Sequence, residues 1–344
     1  MPLASPVARR RFRHISASGI FFQGGAAAVD TSTVVAALVD GLTGSALAVG
    51  SAAAIARFGW LFPQLFVAYY AQRQERRLAF YVAGAFGRVA CLAGLAGWLW
   101  LAGQGQGAFA VVVFFSTWTL YAFVSGIVAV PYNDIVARPI PSAYRSRMLA
   151  LRFFGGGVLA LAVASAAHRL LAALTFPANY AAVLLLGAAL LLVTATSFIS
   201  AGEPRAPAPP AMATGFGRFL RGGIETLRRD RRFRLFLSAQ WLGGMAAMAL
   251  PFYILEAKAA APDVAVLLGA QTAGALLTNP LWGWLSDHRG KQSLLELVAA
   301  LGALAPLLAL TGIAVDLDRY RMALPYLAVI FGLLGAVGNG ATIA

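Results

Sequence analysis

The chain has 344 residues, 60% of them hydrophobic and only 12% charged, with a net charge of +14 and a mean hydropathy of +0.75. Soluble domains carry about a quarter charged residues, so this chain cannot cover a globular surface with polar groups. At about 20 apolar residues per span, it has room for about ten membrane helices. The positive excess does not mark a nucleic-acid-binding protein, because no soluble fold is left to display a basic groove.

A basic start (Arg9, Arg10, Arg11, Arg13) leads into a predicted helix at 15–40. That helix carries Gln23 and Asp30 and is too long for the apolar core of a cleaved signal peptide. Predicted spans follow at 46–71, 78–102, 108–131, 148–170 and 179–200, completing a six-helix half over 15–200 behind a basic N-terminus at 1–14. Residues 201–234 read as a linker, first proline-rich (Pro204, Pro207, Pro209, Pro210) and then arginine-rich. In its second part Phe216, Leu220, Ile224 and Leu227 recur at helical spacing, with Arg218, Arg221, Arg228 and Arg229 largely off that stripe. Such a segment lies flat on an anionic membrane surface, although Gly222-Gly223 leave a disordered connector open. Four more spans are predicted near 235–257, 264–286, 293–314 and 323–344, so the second half, 235–344, is two helices short of the first. Either two further spans follow Ala344 or they have been lost; the former is expected.

Twenty-one of the 27 lysines and arginines fall in five places: the N-terminal tail and residues 73–77, 138–152, 205–234 and 289–291. These occupy every second gap between apolar segments, the positive-inside pattern, and predict a cytoplasmic N-terminus. Arginine outnumbers lysine 25 to 2, and Ala and Gly abound, which suggests a GC-rich bacterial genome and hence a bacterial inner membrane. Cys91, the only cysteine, sits in an apolar segment, so no disulfide framework or cysteine metal site is expected. His14, His168 and His288 are scattered between the two membrane faces and cannot share a metal. No glycine-rich loop ends in Gly-Lys-Ser/Thr, so direct ATP hydrolysis is not the expected energy source, and no residue pattern points to an enzyme or a cofactor.

The chain repeats itself. Arg10-Arg11-Phe12-Arg13 recurs as Arg231-Arg232-Phe233-Arg234 before the first helix of each half, and residues 64–73 align in register with residues 280–289. The second copy, Leu281-Trp-Gly-Trp-Leu-Ser-Asp-His-Arg-Gly-Lys291, resembles the signature loop of the major facilitator superfamily, roughly Gly-x-Leu-Ala-Asp-Arg-x-Gly-Arg-Arg. Gly283, Leu285, Asp287, Gly290 and Lys291 fall on the pattern, and Arg289 lies one place later than the usual first arginine. The resemblance implies an all-α polytopic fold of two pseudo-symmetric six-helix halves. It also implies a loop that latches the halves and tunes alternating access, with Asp287, Arg289 and Lys291 as gating residues and Gly283 allowing close helix approach.

In the first half Val67, Ala71 and Gln74 stand where Gly283, Asp287 and Gly290 do, and only Arg73, Arg76 and Arg77 persist. Asp134 is a candidate partner for Arg73, as in comparable pairs of the family. The stretch Pro139-Ile-Pro-Ser-Ala-Tyr-Arg145-Ser-Arg147 resembles the family's loop between spans four and five, where Arg145 would fix loop shape and meet lipid phosphate.

Asp30, Arg57 and Arg88 are ionisable residues inside apolar spans. Such charges are expensive and usually face a partner or a wet cavity. Asp30 and Arg57 both fall about 21–22 Å from the cytoplasmic end at 1.5 Å per residue, and could pair. Asp30 is then either a proton carrier or half of a permanent ion pair, and Arg88 either snorkels or binds an anionic group. Gln23 shares a helix face with Asp30, while Gln271 and Asn279 are polar enough to line the same cavity, and Pro280 loosens their helix. Trp118, Tyr121 and Ser125 form one stripe and Trp241, Met245, Met248 and Phe252 another, as expected of packing or lipid-facing surface more often than of a substrate wall. Gly155-Gly156-Gly157 permits close packing.

The reading is a secondary transporter of a small organic solute, driven by protons, another coupling ion or the solute's own gradient, with efflux preferred over uptake and membrane lipids as its surroundings. The alternative is a non-transporting relative acting in assembly, lipid or pigment handling.

Overall fold

A computed structural model describes residues 6–71, 73–102, 107–138, 142–204, 215–249, 252–253, 255, 264–314 and 323–343, and no strand occurs among them. The helices are α1 (Pro6–Ala28), α2 (Val34–Thr43), α3 (Ala46–Ala71), α4 (Leu78–Ala102), α5 (Gly107–Ala137) and α6 (Ser142–Ala173). They continue with α7 (Ala178–Ala201), α8 (Phe216–Arg229), α9 (Arg231–Ala247), α10 (Val264–Ala314) and α11 (Ala323–Ile343). Seven helical stretches among the described residues are long and apolar enough to cross a bilayer. The chain is a multi-pass membrane protein.

The predicted spans 46–71 and 78–102 are α3 and α4, and those at 108–131, 148–170 and 179–200 lie within α5, α6 and α7. The helix expected at 15–40 is instead broken between α1 and α2. The cause is local: Asp30 Oδ1 accepts the Ser32 N–H at 3.0 Å, the Ser32 hydroxyl at 2.7 Å and the Thr33 hydroxyl at 2.8 Å. A short polar side chain that binds its neighbours' donors competes with the helical ladder. The loop expected between spans 264–286 and 293–314 is also shorter than its sequence suggests. Helix α10 continues through it and breaks only at Gly290 (φ 82°, ψ 167°), a conformation that excludes ordinary side chains. Of the span expected at 235–257, residues 235–247 lie in α9, which starts four residues earlier, and parts of the remainder lie outside the described residues.

Where backbones approach closely, small residues make room. Helix α1 lies against α6 and α7: a Cβ on Gly24 would meet Leu159 at 2.8 Å, and one on Gly25 would meet Leu191 at 2.9 Å. Gly155 and Gly156 on α6 receive Ile20 and Gln23 of α1, and Gly157 receives Leu276 of α10, so the glycine triplet serves packing. Between α10 and α11 the approach is closest, with Gly274 against the Gly332 backbone and Gly335 against the Gln271 carbonyl. In a bilayer, where lipid is as apolar as leucine, such packing is what associates helices.

The buried core runs through α1–α7 and includes Leu38, Leu92, Leu95, Phe114, Trp118 and Leu184. Trp118 donates its indole N–H to the Ala52 carbonyl at 3.0 Å and stacks on Tyr121, so this stripe packs helices together. Trp241, Met245 and Met248 are exposed, while the part-exposed Phe252 lays its ring against Gly50 of α3. A smaller cluster surrounds Trp282, whose indole N–H meets the Ala336 carbonyl at 2.9 Å. The arginine-rich segment after the prolines is helical: in α8, Phe216 lies 5.2 Å from the Phe66 ring and 5.1 Å from the Tyr69 ring, holding the helix against the end of α3.

A cavity between the two halves

A cavity of about 930 Å³ opens where α1 and α6 of the first half face α10 and α11 of the second. Gln23 reaches it from α1, Asp30 from the break that follows, Gln271 and Asn279 from α10. Gln23 and Asp30 were expected on one wall, with Gln271 and Asn279 in the same cavity, and all four line it. The break matters here, since irregular backbone at membrane depth is tolerated where it lines a water-filled space. Gln271 Oε1 is buried without a hydrogen-bond partner.

Two polar residues of this cavity were not singled out in the sequence. Asn339 on α11 donates one amide N–H to Asn279 Oδ1 at 2.7 Å and one to the Ala275 carbonyl at 3.0 Å, tying α11 to α10. Its position inside the predicted span 323–344 was the available signal. Arg152 on α6 also lines the cavity, although it was counted with the basic loop at 138–152. The predicted span began at residue 148, so by its own boundary Arg152 was an intramembrane charge.

Three sequence expectations are corrected by this arrangement. Arg57 does not pair with Asp30: its side chain is exposed on α3, while Asp30 turns to the hydroxyls of its own turn. Gly283 does not mediate close approach, because a Cβ there would meet nothing within 4 Å and the residue borders the cavity. Asp134 does not pair with Arg73. It forms ion pairs with Arg77 and Arg138, while the exposed Arg73 lies over the Tyr69 ring at 4.0 Å. Arg77 is favoured because it stands at the start of α4, beside the end of α5 that carries Asp134.

Glu203 completes that cluster. It follows the end of α7 at Gly202 (φ 70°), where its carboxylate accepts the N–H groups of Arg77 at 2.7 Å and Leu78 at 3.1 Å and lies 4.0 Å from Arg138. One acid thus caps α4 and joins it to α5 and α7.

Arg76 and Arg289 are exposed. The side chains of Asp287, Lys291 and Arg145 lie outside the described residues; their backbones are helical, so Arg145 stands in the opening turn of α6 rather than in a loop. Arg88, nearly fully buried on α4, lines a different cavity, inside the first half.

No family model matches the sequence. Uncharacterized proteins of Mycobacterium tuberculosis and Mycobacterium bovis are 26% identical over 200 residues, which make up 57% of this chain and 38% of theirs. The chain thus spans well under half the length of these curated relatives. The solved xylose transporter XylE from E. coli, in a partially occluded inward-open conformation, superposes with a TM-score of 0.68 over 98% of this chain and 86% of its own, at 13% identity. The chain has the major facilitator fold. A D-xylose–proton symporter superposes at 0.66 over 96% and 80% of the two chains, at 14% identity. A POT family transporter bound to 5-aminolevulinic acid does so at 0.56 over 96% and 89%, at 11% identity. In this fold, the all-α polytopic architecture expected from the signature at 283–291, the cavity occupies the junction of the two halves.

Proposed function

We propose that this protein is a secondary transporter that moves a small organic solute across a bacterial inner membrane by alternating access. The observation that carries the reading is the cavity of about 930 Å³ at the junction of the halves, where Gln23, Asp30, Arg152, Gln271 and Asn279 converge. A structural protein gains nothing from a large chamber that gathers five polar side chains among apolar walls, since polar groups in a membrane are costly unless wet or partnered. The neighbours named above, which include a D-xylose–proton symporter, support the same reading.

Asp30 is the coupling group in this scheme. It lines the chamber, where the Ser32 N–H and the hydroxyls of Ser32 and Thr33 hold its carboxylate. The basic N-terminus and loops face the cytoplasm, and α8 lies on that membrane surface with its arginines toward anionic lipid. Arg77, Asp134, Arg138 and Glu203 latch the cytoplasmic ends of α4, α5 and α7, and Asp287, Arg289 and Lys291 serve the corresponding turn of the second half. Export is the proposed direction.

The test is reconstitution of the full chain into liposomes with an imposed pH gradient and a pH-sensitive dye inside, followed by a screen of small organic solutes. Solute-dependent proton movement that Asp30→Asn abolishes, with insertion unchanged, is the expected outcome. Solute flux unaltered by Asp30→Asn removes Asp30 from the mechanism, and no flux of any solute removes the transporter reading.

A further inference from the structure

We propose that Arg88 and Arg152 form a seat for the carboxylate of an organic anion, a reading that rests on the transport function proposed above and gives its solute a chemical class.

The seat is a second, half-open cavity of about 190 Å³ lined by residues of the first half, sharing Arg152 with the central chamber. Arg88 and Arg152 both line it, and the Nε of each is buried with no hydrogen-bond partner among the described residues. Ser18 and Ser125 bring hydroxyls to the same lining, beside the tyrosines Tyr81 and Tyr121. Buried polar groups are normally satisfied, so two guanidinium donors left over on residues that border one space call for an acceptor.

The charge balance points the same way. Arg88 is 4% exposed, and no ion pair holds it among the described residues. No aspartate or glutamate lines this cavity. Both guanidinium carbons face the ring of Phe22, Arg88 at 5.4 Å and Arg152 at 5.6 Å, and Arg152 also donates to the Tyr132 hydroxyl at 3.2 Å. An aromatic face eases burial of a cation but does not neutralise it. Two guanidiniums with no counter-ion among the described residues call for an anion, and their planar forks suit a carboxylate.

The walls narrow the class further. Phe22, Trp60, Tyr81 and Val128 give the cavity a largely apolar lining. A dianion such as phosphate gives up more hydration on entering such a space than a carboxylate does. The volume holds the headgroup and a small body. Arg152 borders both this cavity and the central chamber.

The experiment is calorimetric titration of the full chain in phosphatidylcholine nanodiscs with benzoate, its neutral counterpart benzamide, and inorganic phosphate. Saturable benzoate binding is expected, with benzamide and phosphate at least about tenfold weaker. Arg88→Gln and Arg152→Gln should each weaken benzoate about tenfold or more, with partial recovery in Arg88→Lys. Ser125→Ala, a milder change, should weaken it severalfold and supports the seat even where the arginine variants do not fold. Absence of saturable benzoate binding, equal affinity for benzamide, binding of phosphate alone, or a folded Arg88→Gln protein of unchanged affinity would each overturn the proposal. Nanodiscs containing phosphatidylglycerol supply a further arm: displacement of benzoate by that lipid assigns the seat to a lipid headgroup and overturns the solute reading. Binding is measured at equilibrium, so it separates the two proposals. Benzoate binding without flux of any solute sinks transport and leaves the seat, whereas flux of neutral solutes without benzoate binding sinks the seat alone.

Discussion

Glu203 holds the Arg77 backbone from 126 residues away, accepting its N–H at 2.7 Å. The same carboxylate takes the N–H of Leu78, so the first turn of α4 is capped by a residue that follows α7. Glu203→Ala should destabilise the fold by about 0.5–2 kcal/mol, the range for a lost helix cap. Glu203→Gln, which keeps one acceptor oxygen, should cost less. Thermal unfolding followed by tryptophan fluorescence in detergent checks the order; an Ala variant as stable as the native protein would mean that water replaces the cap.

Asp30 gives a second contrast. Asp30→Ala leaves an N–H and two hydroxyls without their acceptor, at about 1–3 kcal/mol for a buried loss. Asp30→Asn retains an amide oxygen, so it should insert and unfold nearly as the native protein does while losing proton-linked flux. Equal thermal destabilisation by both variants would show that the negative charge, rather than the acceptor, holds the turn.

Gly283 and Gly335 should respond oppositely to alanine. A Cβ at Gly335 would collide with the Gln271 carbonyl, whereas one at Gly283 enters open space beside the chamber. Gly335→Ala should abolish the monodisperse peak in size-exclusion chromatography of membrane extracts, and Gly283→Ala should preserve it. Sequence resemblance alone would rank these residues the other way.

Gly290 sits at φ 82° and ψ 167°, a region open essentially to glycine. Gly290→Ala should cost about 1–3 kcal/mol, read as a lowered unfolding temperature, with a shift in flux if this hinge moves during transport. A variant of unchanged stability and flux would show that α10 can bend elsewhere.

Apolar runs bounded by arginines or glycines made α3 and α4 legible to the residue in the sequence, because lipid demands long uninterrupted hydrophobic stretches. What escaped was decided by side chains acting against that demand. Asp30 breaks a helix by capturing donors two and three residues away, and no hydropathy average registers this. Gly290 compresses an expected loop into one residue. Glu203 lies within the stretch read as a linker and was not singled out, since its partners at 77 and 78 are distant in sequence. Gln23, Gln271 and Asn279 were found because a polar residue in an apolar run stands out. Asn339 had the same signal and was passed over, and Arg152 was hidden by its basic neighbours.

Helix α1 is not among the seven stretches apolar enough to cross a bilayer by composition alone. It carries serines and glycines where it meets other helices, with Ser16, Ser18, Gly19, Gly24 and Gly25 all buried. Its surroundings are protein rather than lipid, so it has little need to be greasy. During synthesis, however, α1 emerges before α6 and α7, the helices that will enclose it. Its stable insertion must therefore wait on them, and in a Cys91→Ala background a Ser18→Cys chain stalled on the ribosome before α6 should react with water-soluble cysteine reagents that the finished protein excludes.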